Sequence, residues 1–123
     1  MNGIILVSHT RGMVEGLRAL LLEVAGDIPI TIAGGTDEGD VGTSFEKIQS
    51  AINENPADMI YAFHDLGSAK LNLDMAIEMS DKTIEITNAA FVEGAYVVAS
   101  LIGAGADQDT IKKNLDPIRI KNR

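Results

Sequence analysis

Short apolar runs alternate along the chain with longer amphipathic stretches. Residues 4–7 (Ile-Ile-Leu-Val) are unbroken apolar sequence, short enough for a strand buried on both faces of a parallel sheet. Polarity changes abruptly at Ser8-His9-Thr10. Beyond it Met13, Leu17, Leu20, Leu21 and Val24 recur at helical spacing, and Gly26 supplies a stop. Residues 28–33 read as a second strand, with Pro29 confined to its start or to an edge, and Gly34-Gly35 close it. A polar loop then runs to Thr43 or Ser44, either of which can cap a helix with Phe45, Ile48 and Ile52 on one face. Residues 53–56 end that helix, because proline disfavours helical geometry in the residue before it.

The pattern then repeats. Residues 59–63 form a third strand that runs into His64-Asp65-Leu66-Gly67-Ser68. Ser68 is predicted to cap a helix reaching about Met79, with Leu73, Ala76 and Ile77 on its buried stripe and Leu71 and Met75 widening it. Residues 83–86 make a short fourth strand. Asn88 opens a strongly apolar helix through Val92, Ala95, Tyr96, Ala99 and Ile102, which ends at Gly103-Ala-Gly105. Asp107 caps a last short helix bearing Ile111 and Leu115, and Pro117 stops it. The basic tail, residues 118–123, is a candidate extra C-terminal edge strand.

Strands alternating with helices at this spacing predict an α/β fold: a doubly wound, mainly parallel four-stranded sheet in the order 2-1-3-4, flanked by helices. That order puts the topological switch between strands 1 and 3, and open α/β sheets bind ligands at the carboxyl ends of such strands. Both histidines of the chain, His9 and His64, fall there.

Composition narrows the picture. A chain of 123 residues fits one domain, spanning residues 1–123, and without cysteine it has no disulfides or thiolate metal sites. A net charge of −8 argues against nucleic acid and anionic membrane as partners. The start lacks a basic region ahead of its short apolar run, and no segment approaches transmembrane length, so a soluble cytoplasmic domain is expected.

His9, on a strand–turn–helix junction, either carries chemistry or merely fills the turn. Backbone N–H groups near a helix start would hold a phosphoryl group placed on its imidazole. Asp65 follows the neighbouring strand and can reach the His9 ring, fixing its tautomer and making the other nitrogen the better nucleophile; alternatively it satisfies backbone N–H groups near Gly67 and Ser68. His64 is either a second ligand-facing ring or a strand-end histidine bonded to a nearby carbonyl. Asp37, Glu38 and Asp40 do not follow an EF-hand pattern and read as a solvated or partner-recognition loop. Arg11, Glu15 and Arg18 share one helix face as surface ion pairs, with Arg11 near enough to His9 to steer a phosphate. No nucleotide P-loop, serine nucleophile elbow or Mg²⁺-holding acid pair after the first strand is present in the sequence, so no metal site is assigned.

Three segments in order carry a resemblance: Ile5-Leu-Val-Ser-His9 with Glu15-Gly16, Gly34-Gly-Thr36 through Gly42-Thr-Ser44, and Asp65-Leu-Gly-Ser-Ala69 followed by Asn72. Across nearly its whole length the chain resembles the phosphotransfer subunits of bacterial phosphoenolpyruvate-dependent dihydroxyacetone kinases. Those subunits are similar in fold to the IIA domains of mannose-type sugar phosphotransferase systems. The resemblance implies a phosphotransferase subunit of glycerol metabolism, cytoplasmic and homodimeric, with His9 as the phosphorylated nucleophile and Asp65 as its orienting partner. It puts Gly67 and Ser68 at the helix end facing the phosphate. Thr10, beside His9, is a further expected phosphate contact, and the placement of Arg11 and of the Gly34–Ser44 loop beside the His9 turn makes Arg11, Gly35, Thr36, Asp37 and Thr43 expected partner contacts. The donor would be a separate phosphocarrier protein, HPr, since the chain ends before the HPr-like and enzyme I-like domains of larger relatives. The acceptor would be ADP on the kinase subunit, with no cofactor on this chain beyond the covalent phosphohistidine. Alternatives are a IIA component of a mannose- or sorbose-type sugar transporter, a histidine phosphatase, and a non-catalytic flavodoxin-like binding module. The phosphatase expects Arg-His-Gly where this chain has Ser8-His9-Thr10.

Overall fold

The computed structural model describes residues 1–121. Its sheet has four parallel strands, β1 (Asn2–Ser8), β2 (Ile30–Gly34), β3 (Met59–His64) and β4 (Thr83–Ile86), in the order β2-β1-β3-β4. Five helices flank it: α1 (Arg11–Ala25), α2 (Phe45–Glu54), α3 (Lys70–Glu78), α4 (Phe91–Gly103) and α5 (Gln108–Leu115). The predicted order and switch point are therefore present. A solvent-shielded strand needs no alternation of polarity, and β1 has none: Ile4, Ile5, Leu6 and Val7 are fully buried.

Alternate residues of the central strands feed two cores. Ile4, Leu6, Tyr61 and Phe63 pack beneath α1, α4 and α5, whereas Ile5, Val7, Ile60 and Ala62 pack beneath α2 and α3. Burying one such Leu or Ile side chain stabilises by roughly 1.5–3 kcal/mol. Tyr61 belongs to the first core, and burial together with the nearby Glu85 carboxylate pushes its phenol above the ordinary 10.0.

Several sequence expectations shift in detail. Strand β2 begins at Ile30, two residues beyond the apolar start, because Pro29 can donate no ladder bond; its carbonyl instead accepts from Ile4 N–H at 2.9 Å. Helix α1 buries Val14, Leu17, Leu21 and Ala25, while Met13 and Leu20 are about half exposed. Its apolar arc is wider than the face the sheet covers, so the roll of the helix decides which flank is wetted. On α3, Leu73 and Ala76 are buried, but Leu71 and Met75 face solvent. Asn88 does not open α4; it takes a positive φ of 53°, and the helix starts at Phe91.

Ser44, rather than Thr43, caps α2, its hydroxyl accepting from Lys47 N–H at 3.1 Å. Asp107 caps α5 as expected; the bonds from Thr110 hold its carboxyl below the ordinary 3.8. The C-terminal tail adds no strand to the sheet within the described residues. Asp116–Ile118 form a 3₁₀ turn, and Arg119 makes a single antiparallel bridge to Ala89. Asn122 and Arg123, part of the same expectation, lie outside the described residues.

Candidate functional site

Sheet register builds the site. In the β1–β3 ladder Val7 stands opposite His64, and Asp65 N–H donates to the Val7 carbonyl at 3.2 Å. The next rung sets Ser8 against Asp65. Strand alternation turns both toward the α1 side, the same side as Leu6 and Phe63. Ser8 is fully buried and its hydroxyl lies 2.9 Å from Asp65 Oδ2.

One residue further, His9 leaves the sheet into the turn before α1. Thr10 caps that helix through Met13 N–H at 3.4 Å, and Thr10 N–H donates to Ser8 Oγ at 3.1 Å. The His9 ring lies over Asp65, with Nδ1 at 3.0 Å from Oδ1 and Nε2 at 2.9 Å from Ser68 Oγ. Its side chain is 18% exposed and that of Asp65 is 8% exposed. The imidazole is thus held firmly yet remains reachable from outside.

Both oxygens of Asp65 accept hydrogen bonds. Oδ1 takes the His9 ring and Leu66 N–H (2.7 Å); Oδ2 takes Ser8 and His9 N–H (3.0 Å). Burial pushes its carboxyl up, but these bonds, led by the one from the His9 backbone, outweigh it and hold the carboxyl below the ordinary 3.8. An ionised Asp65 accepts only, so Nδ1 carries the proton; in the neutral ring Nε2 then keeps its lone pair and accepts from the Ser68 hydroxyl. Asp65 thus contacts the His9 ring and also accepts a backbone N–H of its own turn, that of Leu66.

Ser68 does not cap a helix. Gly67–Ala69 form a 3₁₀ turn ahead of α3, and the Ser68 hydroxyl serves the histidine instead. His64 takes its bland reading: the ring is 1% exposed and Nδ1 lies 3.0 Å from the Leu66 carbonyl, steadying the segment that presents Asp65.

The β2–α2 loop is stitched to the same turn. Gly35 N–H donates to the Ser8 carbonyl at 3.2 Å and Gly42 N–H to the His9 carbonyl at 2.9 Å. Gly34 lets strand and turn approach: a Cβ there would lie 2.7 Å from the Thr10 carbonyl and 2.8 Å from Arg11 Cα. Gly35 has a φ of +78°, where side-chain-bearing residues are strained. Thr36 closes the loop by accepting Asp40 N–H on its hydroxyl, and Thr43 Oγ1 accepts from Asn72 on α3 at 2.9 Å. Asp37 accepts from Ser44 at 2.5 Å, whereas Glu38 and Asp40 extend into solvent. Among the described residues no three acidic or histidine side chains gather into a metal-binding cluster.

Arg11 is 74% exposed and pairs with Glu15 at 3.1 Å, as its spacing predicts. Arg18 does not join them; it donates to the Ile30 carbonyl at 2.8 Å on the outer side of β2. A groove of about 420 Å³ lies between α1 and α2, lined by Arg11, Glu15, Lys47 and Glu54 among others, and His9 does not line it. The histidine is offered on a turn, not inside this groove.

Sequence reasoning assigned no role to Ser8, Gly42 or Asn72. Ser8 carried a usable signal: a polar residue in phase with Ile4 and Leu6 points inward at a strand end, and needs a polar partner.

Among the described residues no helix is long and apolar enough to cross a membrane. Residues 3–112 match the family model for EIIA-man, the PTS system fructose IIA component. Over 119 residues the chain is 44% identical to "PTS-dependent dihydroxyacetone kinase, phosphotransferase subunit DhaM" of Lactococcus lactis, covering 97% of each chain. It is 42% identical to "PEP-dependent dihydroxyacetone kinase 1, phosphoryl donor subunit DhaM" of Listeria innocua, over 97% of this chain and 96% of that one. The crystal structure of "unknown function protein EF1359" superposes with a TM-score of 0.84 at 29% identity, over 99% and 98% of the two chains. With family match, fold and relatives in agreement, the chain belongs to the EIIA-man family of phosphotransferase-system IIA components.

Proposed function

We propose that this chain is the phosphohistidine relay subunit of a phosphoenolpyruvate-dependent dihydroxyacetone kinase, taking phosphate from HPr on His9 and passing it to ADP on the kinase subunit. One observation carries the reading: the His9 imidazole is fixed by Asp65 through Nδ1, with Nε2 at an accessible edge beside a hydroxyl. The Lactococcus and Listeria relatives are named phosphotransferase and phosphoryl donor subunits of such kinases, which supports the reading.

The chemistry follows from that geometry. The Nε2 lone pair attacks the phosphorus of the donor's phosphohistidine; the donor P–N bond breaks and its electron pair returns to the donor ring. No proton need leave His9, because Nδ1–H stays on Asp65. Its carboxylate offsets the positive charge the ring gains as the new bond forms. Ser68 Oγ swings off Nε2 and donates to a phosphoryl oxygen, joined by N–H groups at the start of the Gly67–Ala69 turn and by the Thr10 hydroxyl. In the second step a β-phosphate oxygen of ADP attacks the same phosphorus, and the Nε2–P bond returns its pair to His9. Positioning and charge stabilisation suffice for such transfers, so the relay asks for no metal or nucleotide site on this chain.

Arg11 and the loop carrying Gly35, Thr36, Asp37 and Thr43 flank the histidine and form the surface a partner meets. Cytoplasmic location and homodimerisation complete the reading, and homodimerisation rests on the resemblance alone.

Incubation with phosphoenolpyruvate, enzyme I and HPr, followed by intact-mass measurement, tests the first step. One acid-labile phosphoryl group per chain is expected, and its absence overturns the relay. Discharge to ADP with the kinase subunits, but not to a sugar-transporter IIB protein, separates the kinase branch from the sugar branch. Micromolar ADP binding to the isolated chain by calorimetry would refute assigning the nucleotide to the partner.

A further inference from the structure

We propose that Ser8 is a positioning residue for the relay: its buried hydroxyl locks the rotation of the Asp65 carboxylate and thereby the tautomer of His9. The proposal rests on the relay reading for its kinetic consequence but not for its structural one.

Two arms of hydrogen bonds converge on the Asp65 carboxylate. Thr10 N–H donates to Ser8 Oγ at 3.1 Å, which commits the Ser8 proton outward. Two acceptors are in reach, Asp65 Oδ2 at 2.9 Å and Met13 Sδ at 3.5 Å. A hydroxyl has a single proton, and a carboxylate accepts it more strongly than a thioether. Asp65 Oδ1 then receives His9 Nδ1–H, and His9 Nε2 receives Ser68 O–H. Within each arm one donor polarises the next, and both arms end on Asp65.

Ser8 matters because its hydroxyl is the donor that shares the Oδ2 edge of Asp65 with His9 N–H. Without the hydroxyl, Oδ2 keeps His9 N–H at 3.0 Å but loses a side-chain donor. The carboxylate can then swing about its Cβ–Cγ bond and loosen the Nδ1 contact. Ser8 touches neither phosphorus nor imidazole, so its effect must pass through Asp65.

Ser8→Ala is therefore expected to slow phosphoryl uptake about tenfold or more, the loss typical of one hydrogen bond to a charged group, with the donor concentration for half-maximal rate unchanged. Carbon-13 NMR should show the Asp65 carboxyl titrating higher than in the parent protein. Nitrogen-15 NMR should show a larger share of the Nε2–H tautomer of His9. Both NMR readouts need no phosphotransfer, so they stand even if the relay reading fails. Ser8→Cys keeps the volume with a weaker donor and guards against misfolding; it should fall between parent and alanine. In an Asp65→Asn background, Ser8→Ala should cost nothing further. Additive rate losses in that double variant would overturn the proposal, as would a folded Ser8→Ala protein with parent titration and tautomer.

Discussion

Replacing Asp65 by Asn tests the site at its centre. Both carboxylate oxygens accept hydrogen bonds, Oδ1 from the His9 ring and Leu66 N–H and Oδ2 from Ser8 and His9 N–H. An amide presents one acceptor and one donor in the same outline. With its oxygen in place of Oδ1 it keeps His9 Nδ1–H and Leu66 N–H but sets its NH₂ against His9 N–H. Turned the other way, it points NH₂ at Nδ1 and favours the Nε2–H tautomer, which has no lone pair for phosphorus. The lost charge is the larger effect. A unit charge about 4 Å from a carboxylate, at an effective dielectric near 20, interacts by about 4 kcal/mol. If about half a charge develops on the ring, about 2 kcal/mol of transition-state stabilisation disappears, a factor of about 30 in rate. Loss of tautomer control brings the expected slowing to about 10²–10³, inside the 10²–10⁴ found for positioned acid–base groups.

The assay is single-turnover quench-flow with phosphorylated HPr, scoring acid-labile phosphate on this chain. Residual labelling is expected, since the nucleophile remains. An unchanged rate would refute the argument and reduce Asp65 to a turn residue. The same variant has a stability signature. Asp65 binds its proton less readily folded than unfolded. Its contribution to stability is thus present above the unfolded value near 3.8 and is lost as pH falls through the lower folded value. Acid titrations followed by circular dichroism should show that contribution to the acid limb in the parent protein and not in Asp65→Asn.

Three further outcomes are expected. His9→Ala should abolish phosphate uptake with the melting temperature nearly unchanged, because the ring sits on a turn outside both cores; labelling of that variant would show another residue carries the phosphate. Neutralising the loop with Asp37→Asn, Glu38→Gln and Asp40→Asn keeps an acceptor for Ser44, and should impair transfer to the kinase subunit more than uptake from HPr; equal losses in the two half-reactions would deny the loop a selective role. Gly34→Ala drives a methyl into Val14 Cγ2, the Thr10 carbonyl and Arg11 Cα, so it should cost about 1–3 kcal/mol by denaturant unfolding and slow phosphorylation with it. Parent-like stability there would mean the turn has slack.

Much of this protein was legible from residue order. The apolar runs at 4–7 and 59–63 and the helical stripes between strands dictate βαβ units. Right-handed crossovers leave few sheet orders, so the switch point, His9 and Asp65 followed from sequence pattern. Asp107 as a cap, a cap at Thr43 or Ser44, and the Arg11–Glu15 pair are local effects within a few residues and were equally readable; the structure chose Ser44. Tertiary structure decided what depends on rotation and register. Helix propensity and spacing give an apolar arc but not the roll of the helix, so Met13, Leu20, Leu71 and Met75 turned outward although their spacing fits a buried stripe. Ser68 had the chemistry of a cap, yet the fold brought it to His9 across 59 residues of chain and gave it other work. Ser8 met Asp65 only because the β1–β3 ladder aligns Val7 with His64, a register fixed by which faces of two strands are buried together. The sequence determined which residues could do the chemistry; the pairing of the two central strands decided which of them touch.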